Sequence, residues 1–299
     1  MQQIILYQAY GSIDIVNECR YSILKLLQFY NLIPPKETGI CIYTDHPSQF
    51  DEFQSFFHSV EIRELSPATI QEWKGAINFK HRVKVEMLID YFKNYQGKVI
   101  YFDTDTFIQS PVESLFQHIE NGKFLMHEYE GTMSSNTSAY FGKWEHFFRT
   151  TPVIYNNQQL DFSPDLKVWN AGVIGLNSES KVVLHEVLSL TDSIYKKFPK
   201  HIAEQFAFSY CFQKKGHVED VSGAVFHYWN VKEFRTLLNY FFEKYSEESV
   251  PNLVKLLAHI DPVAIQRDKV NYKKLTILQK FTRTLAGKSW KIENYLKKI

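Results

Sequence analysis

Short apolar runs alternate with amphipathic stretches through the first hundred residues. Ile4-Ile5-Leu6-Tyr7 and Ile40-Cys41-Ile42-Tyr43 are strand-like runs, the second ending at Thr44-Asp45. Between them, Ile15 to Tyr30 repeats apolar positions at helical spacing and stops ahead of Pro34-Pro35, where a helix cannot continue. A helical segment from Gln49 to Phe57, a short strand from Val60 to Leu65 and a helix from about Lys80 to Tyr95 follow. The last feeds the run Lys98-Val99-Ile100-Tyr101-Phe102. This alternation predicts an α/β fold with a mostly parallel central sheet flanked by helices.

The stretch from Tyr129 to Val168 breaks the rhythm. It is polar, aromatic and without clear period, which reads as a long irregular segment, either a functional loop or a disordered one. Val173-Ile174-Gly175-Leu176 resumes a strand, Lys181 to Lys197 and Ile202 to Phe212 read as helices, and Ala224-Val225-Phe226 is a late strand running into His227-Tyr228-Trp229. Everything beyond about Val231 has a helical pattern. With no internal repeat and no low-complexity linker, the expected organisation is one α/β domain over residues 1–259 and a basic amphipathic helical tail over 260–299.

Composition places the chain among globular proteins, and 299 residues bury a full core. No run approaches the roughly 20 apolar residues that span a bilayer. The start, MQQIILYQAYGS, has no basic segment followed by a long apolar one, so it does not read as a signal peptide. Cys19, Cys41 and Cys211 are odd in number and far apart, which argues against a disulfide framework or zinc site and fits a reducing cytosol. The net charge of +1 hides an asymmetry. Arg267 to Ile299 carries ten Lys and Arg against two acids, a charge of +8, so the rest of the chain carries −7. An acidic body with a basic tail argues against nucleic-acid binding and for a local role of the tail. From Lys273 to Ile299, apolar side chains interleave with Lys and Arg, a pattern that suits an anionic membrane surface or packing on the body equally well. The expected location is cytoplasmic, with peripheral contact at the inner membrane face open through this tail.

Asp103-Thr104-Asp105 closes the run that ends at Phe102. Ligands bind at the carboxyl ends of strands in open parallel sheets. Residues i and i+2 of an extended segment point the same way, so both carboxylates can face one cation. Hard oxygen ligands suit magnesium or manganese, above all where phosphate oxygens complete the shell. Turn and cap chemistry is another use of Asp-x-Asp at a strand end. An apolar strand followed by Asp103, Asp105 and Thr106 also resembles the opening of haloacid-dehalogenase-like phosphatases, with Asp103 as nucleophile and Asp105 as acid/base. Such an enzyme needs a later acidic pair, and Glu219-Asp220 is the one available.

Other segments accompany the triplet in a fixed order. Arg82-Val83-Lys84-Val85 precedes it; Trp169-Asn170-Ala171-Gly172-Val173, Glu204-Gln205 and His227-Tyr228-Trp229 with Lys232 follow. This order resembles the GT-A nucleotide-diphospho-sugar transferases, especially glycosyltransferase family 8, which includes glycogenin and bacterial lipopolysaccharide sugar transferases. The resemblance spans about Ile4 to Lys232. It implies a GT-A, Rossmann-like fold. The implied activity is metal-dependent, retaining transfer of a hexose from a nucleoside-diphosphate sugar, a UDP-sugar first, to a carbohydrate or glycolipid acceptor in cell-surface polysaccharide assembly. By position it implies that Asp103, Asp105 and His227 bind Mn2+ or Mg2+, the imidazole tilting preference toward manganese. Lys232 would meet the diphosphate, and Arg82 the join of nucleotide and sugar. Asn170, Ala171 and Gly172 would form a loop against the donor sugar, Gly172 permitting close backbone approach. Glu204 and Gln205 would contact donor or acceptor hydroxyls. The family usually reads His-x-x-Gly-x-x-Lys-Pro-Trp, whereas this chain reads His227-Tyr228-Trp229-Asn230-Val231-Lys232-Glu233-Phe234. The Gly, Pro and final Trp are missing, Lys232 falls one position early, and Glu204 stands where an Asp is usual. A non-catalytic sugar-binding relative is the alternative on the same scaffold.

Arg82 and Lys84 are two apart on one helix, so both cannot face the same way. Ala9-Tyr10-Gly11 and Thr44-Asp45 end the first two strands, where loops would bracket a base and ribose; Tyr7, Ala9 and Asp45 are the expected nucleotide contacts. His127-Glu128 ends the apolar run Lys123 to Met126, and Glu128 is the extra carboxylate available for acid/base work.

Overall fold

The computed structural model describes residues 3–135, 138–297 and 299. In chain order, β1 (Gln3–Ala9), α1 (Ile13–Phe29), β2 (Thr38–Thr44) and β3 (Val60–Glu64) lead to α2 (Pro67–Lys74), α3 (Arg82–Asn94) and β4 (Lys98–Phe102). Next come β5 (Thr106–Ile108), α4 (Val112–Glu120), β6 (Phe124–Met126), β7 (Tyr129–Thr132) and α5 (Ala139–Thr150). A small hairpin of β8 (Ile154–Tyr155) and β9 (Gln158–Gln159) precedes β10 (Lys167–Trp169) and β11 (Val173–Asn177). Then follow α6 (Val183–Lys197), α7 (Ala203–Lys215), β12 (Val218–Asp220) and β13 (Val225–His227). The chain continues through α8 (Phe234–Lys244), α9 (Val250–Leu256), α10 (Pro262–Lys273), α11 (Ile277–Leu285) and α12 (Glu293–Leu296).

The central sheet has seven strands in the order β12-β6-β11-β4-β1-β2-β3. All run parallel except β11, which lies antiparallel between β4 and β6. The expected α/β class with a mostly parallel sheet is therefore the observed one. Alternation along each strand divides the core. Ile4, Leu6, Cys41, Tyr43, Val99 and Tyr101 face the side covered by α3, α5, α6 and α7. Ile5, Tyr7, Ile40, Ile42, Ile100 and Phe102 face the side covered by α1, α4, α8 and α9. Burial on both faces is why these strands appear as continuous apolar runs.

The stretch from Tyr129 to Val168 is not a long loop. Inside it α5 starts at Ser138, whose hydroxyl accepts from the Phe141 amide at 3.3 Å, and buries Phe141, Trp144, Phe147 and Phe148. These positions follow helical spacing, but Gly142 and the charged residues between them dilute the signal. Similarly, the segment at Gln49 to Phe57 is a 3-10 stretch, Pro47–Phe53, and α2 was not legible as a separate helix. Residues 260–299 do not behave uniformly. Ile260, Ile265 and Ile292 are buried against the α8 side of the core, and the Ile299 carbonyl accepts from Tyr245 Oη at 2.8 Å. Among the described residues, no helix is long and apolar enough to cross a membrane.

Candidate metal and donor site

Two ladders converge at the carboxyl end of β4. Alongside, β11 places Gly172 so that its carbonyl accepts from the Asp103 amide at 2.8 Å. After the triplet, β5 pairs antiparallel with β13, setting Thr106 opposite His227. The Tyr228 amide then donates to the Asp105 carbonyl at 3.0 Å. Backbone pairing thus carries a histidine 122 positions away in the chain to the acidic pair. Its Nε2 stands 3.0 Å from Asp105 Oδ1. Among the described residues, Asp103, Asp105 and His227 each bring a ligand atom within 4.8 Å of the others.

The donor set fits a divalent ion. Two ligand atoms each about 2.1 Å from an octahedral cation lie about 3 Å apart, the separation seen between Asp105 Oδ1 and His227 Nε2. The imidazole packs where a side chain on residue 172 would otherwise sit: a Cβ on Gly172 would lie 2.5 Å from His227 Cε1 and Nδ1. Gly172 is thus needed for the close approach of the histidine, not for backbone conformation. Its amide donates to Asn170 Oδ1 at 2.9 Å, which fixes the turn.

Electrostatics keep Asp103 charged. The buried Lys84 Nζ lies 3.0 Å from Asp103 Oδ1 and donates to the Ala171 carbonyl at 2.9 Å. Tyr101 Oη donates to the same Oδ1 at 2.5 Å. Burial works against ionisation of Asp103, but Lys84 and then His227 hold its carboxyl below the usual carboxylate range. Burial likewise works against a charged His227, and Asp105 overrides it, so the imidazole is more basic than normal. Both donors to Asp103 take Oδ1.

A second polar layer surrounds this centre. Glu130 accepts from Asn170 Nδ2 at 3.2 Å and from Gln205 Nε2 at 2.8 Å. Burial raises its pKa, and Glu128 adds to the effect. Glu204 is buried with Oε1 3.6 Å from His81 Nδ1, while its Oε2 has no hydrogen-bond partner among the described residues. Burial lowers the His81 pKa despite Glu204.

His127 packs edge-on to His227, ring centroids 5.1 Å apart, and its Nε2 donates to the Val225 carbonyl at 3.0 Å. Its Nδ1 is buried without a partner among the described residues, so a second proton there would meet no acceptor from them. Burial first, then His227, lowers its pKa from 6.5 to about 4. A histidine less basic in the fold than in the unfolded chain stabilises the protein fully above pH about 6.5. That contribution is lost as pH falls toward about 4, by roughly 3 kcal/mol. Urea unfolding at neutral and acidic pH should show this loss, and His127→Gln, which keeps the donor to Val225, should flatten it. An unchanged slope in the variant would remove His127 as the cause.

The other expected contacts divide. Asp103, Asp105, His227, Asn170, Ala171, Gly172 and Gln205 belong to one connected network. Asp45 lies at the same sheet edge, where both its oxygens accept from the Gly11 amide at 3.1 Å and hold the β1–α1 turn. Ala9 is buried at the end of β1. Glu128 is exposed beside Glu130, with its carbonyl accepting from the Asn170 amide at 2.7 Å. Lys232 is exposed in the turn before α8. Two expectations are corrected. Tyr7 points into the core under α1, only 1% exposed, with Oη against Ser22 Oγ at 3.1 Å, and so cannot reach a ligand. Arg82 turns away from the triplet: it donates to Asp192, Glu86 and the Trp73 carbonyl, each at 2.8 Å. Lys84, on the opposite side of that helix, is the cation that reaches Asp103. Glu130 was not anticipated either; nothing in the local pattern separates it from the neighbouring Glu128.

No protein-family model and no curated protein matches the chain in sequence. Solved structures do match in shape. The glycosyltransferase GlyE of Streptococcus pneumoniae TIGR4 superposes with a TM-score of 0.50 at 9% identity, over 86% of this chain and 63% of that one. The galactosyltransferase LgtC, in complex with donor and acceptor sugar analogs, gives 0.49 at 10% identity over 73% of each chain. The apo form of mouse xyloside xylosyltransferase 1 gives 0.48 at 12% identity, over 74% of this chain and 85% of that one. At these identities the likeness to GlyE is one of fold.

Proposed function

We propose that this chain is a metal-dependent glycosyltransferase that moves a hexose from a nucleoside-diphosphate sugar, a UDP-sugar first, to a carbohydrate or glycolipid acceptor. The observation that carries the reading is the convergence of Asp103, Asp105 and His227 at the carboxyl edge of a GT-A-like sheet. The catalytic unit in this reading is the α/β body, residues 1–259. Bound there, Mn2+ or Mg2+ offsets the charge that develops on a departing nucleoside diphosphate. The chain's own residues do the rest by positioning and preorganised polarity. Lys84 and Tyr101 hold Asp103 ionised and aimed, and Gly172 admits His227. Asn170, Glu130 and Gln205 form a hydrogen-bonded row suited to sugar hydroxyls. Lys232 has the exposed, flexible charge that a diphosphate would recruit. A place in cell-surface polysaccharide assembly and retention of configuration are the finer parts of this reading. Cys19, Cys41 and Cys211 are buried free thiols, in keeping with a reducing compartment.

The phosphatase reading loses its second acidic pair. Glu219 is taken by Lys123 at 2.8 Å, and Asp220 accepts from the Tyr129 amide at 2.7 Å and from Ser222 Oγ at 2.6 Å. Calorimetry with UDP, GDP and CMP, with and without Mn2+, tests the proposal. One nucleotide should bind, and only with the metal present. Binding that ignores the metal, or no binding by any of the three alongside phosphate-ester hydrolysis, would overturn it.

A further inference from the structure

The last forty residues separate into parts that pack and one that does not. Helix α10 buries Pro262 and Ile265, and the segment after α11 returns Ile292 to the core with Trp290 and Leu296 against it. Between them, α11 buries nothing. Ile277, Leu278, Phe281 and Leu285 are 88, 72, 60 and 74% exposed. At 100° per residue these four fall on one face, with Gln279, Lys280 and Arg283 around the other. The helix is preformed: Thr276 and Gln279 make a reciprocal capping box at its start. An unburied apolar face on a capped helix is a surface that waits for an apolar phase.

Charge decides which one. Lys273, Lys274 and Lys288 flank the helix and Lys280 and Arg283 line its other face, in a segment of +8 on a body of −7. A second copy would bring two such clusters together, and an apolar patch of four side chains is small for a stable dimer. An anionic bilayer attracts the basic rim, repels the acidic body, and accepts the apolar face at headgroup depth. We infer that α11 is an interfacial helix that seats the chain on an anionic membrane surface. This partner is independent of the metal site.

The experiment is co-sedimentation of the full chain with phosphatidylcholine vesicles and with vesicles that also contain phosphatidylglycerol. Binding should be roughly tenfold or more stronger on the anionic vesicles and weaken at high salt. The double variant Leu278→Asp with Phe281→Asp changes only exposed side chains, so its thermal melt should match the parent while its vesicle binding is lost. Equal partitioning of parent and variant, or no sedimentation with either vesicle, overturns the inference. So does a dimer in sedimentation velocity that the variant abolishes, because the face would then belong to a second copy. Nucleotide calorimetry on the same variant should be unchanged, which keeps this test separate from that of the metal site.

Discussion

Asp105→Asn is expected to abolish metal-dependent nucleotide binding and to leave the fold intact. The side chain is 20% exposed and its partner is His227, while the backbone bond from the Tyr228 amide does not depend on it. An amide oxygen in place of the carboxylate removes one negative charge from a site of two carboxylates and an imidazole. It also removes the group that makes His227 more basic than normal. A divalent ion supplies several kcal/mol of leaving-group stabilisation, and each 1.36 kcal/mol is a factor of ten, so transfer should fall by roughly three orders of magnitude. Calorimetry with UDP and Mn2+, paired with a thermal melt, reads both halves. Unchanged nucleotide affinity in a folded variant would show that the metal does not sit between these residues.

How much of this was legible depended on whether a feature was local. The triplet was visible because four apolar residues of β4 end abruptly in two acids, and the burial of that strand on both faces makes the signal strong. His227 was legible only through the order of motifs, since the β5–β13 ladder that delivers it joins residues about 120 apart. On α3 the spacing established that Arg82 and Lys84 face different ways, but not which one faces inward. That depends on α6, whose Asp192 captures Arg82, and on the Ala171 carbonyl, which receives Lys84. Glu130 stayed hidden because β7 is a four-residue strand of mixed polarity, and only its pairing with β10 brings Glu130 to Asn170 and Gln205. In the tail, the amphipathic pattern was plain, yet periodicity alone gives α11 and the returning Ile292 the same reading. Only packing separates them.

Glu130→Gln is expected to separate binding from chemistry: metal-dependent nucleotide affinity kept within about threefold, transfer lowered by about a hundredfold or more. The carboxylate is half-buried and accepts two amide donors, one on each oxygen. Gln has the same shape but one acceptor oxygen, so its NH2 must oppose either Asn170 or Gln205, and one of them turns. The row of groups available to sugar hydroxyls is then broken beside the centre, while Asp103, Asp105 and His227 keep their own partners. Burial raises the pKa of Glu130 above that of an ordinary glutamate, a direction that suits a carboxyl exchanging a proton with substrate. Steady-state kinetics with the donor that calorimetry identifies should show the fall in kcat with little change in donor KM. A variant that transfers as fast as the parent would reduce Glu130 to a strut between Asn170 and Gln205. The chemistry would then fall to Gln205 and Glu204, whose Oε2 is buried without a hydrogen-bond partner among the described residues.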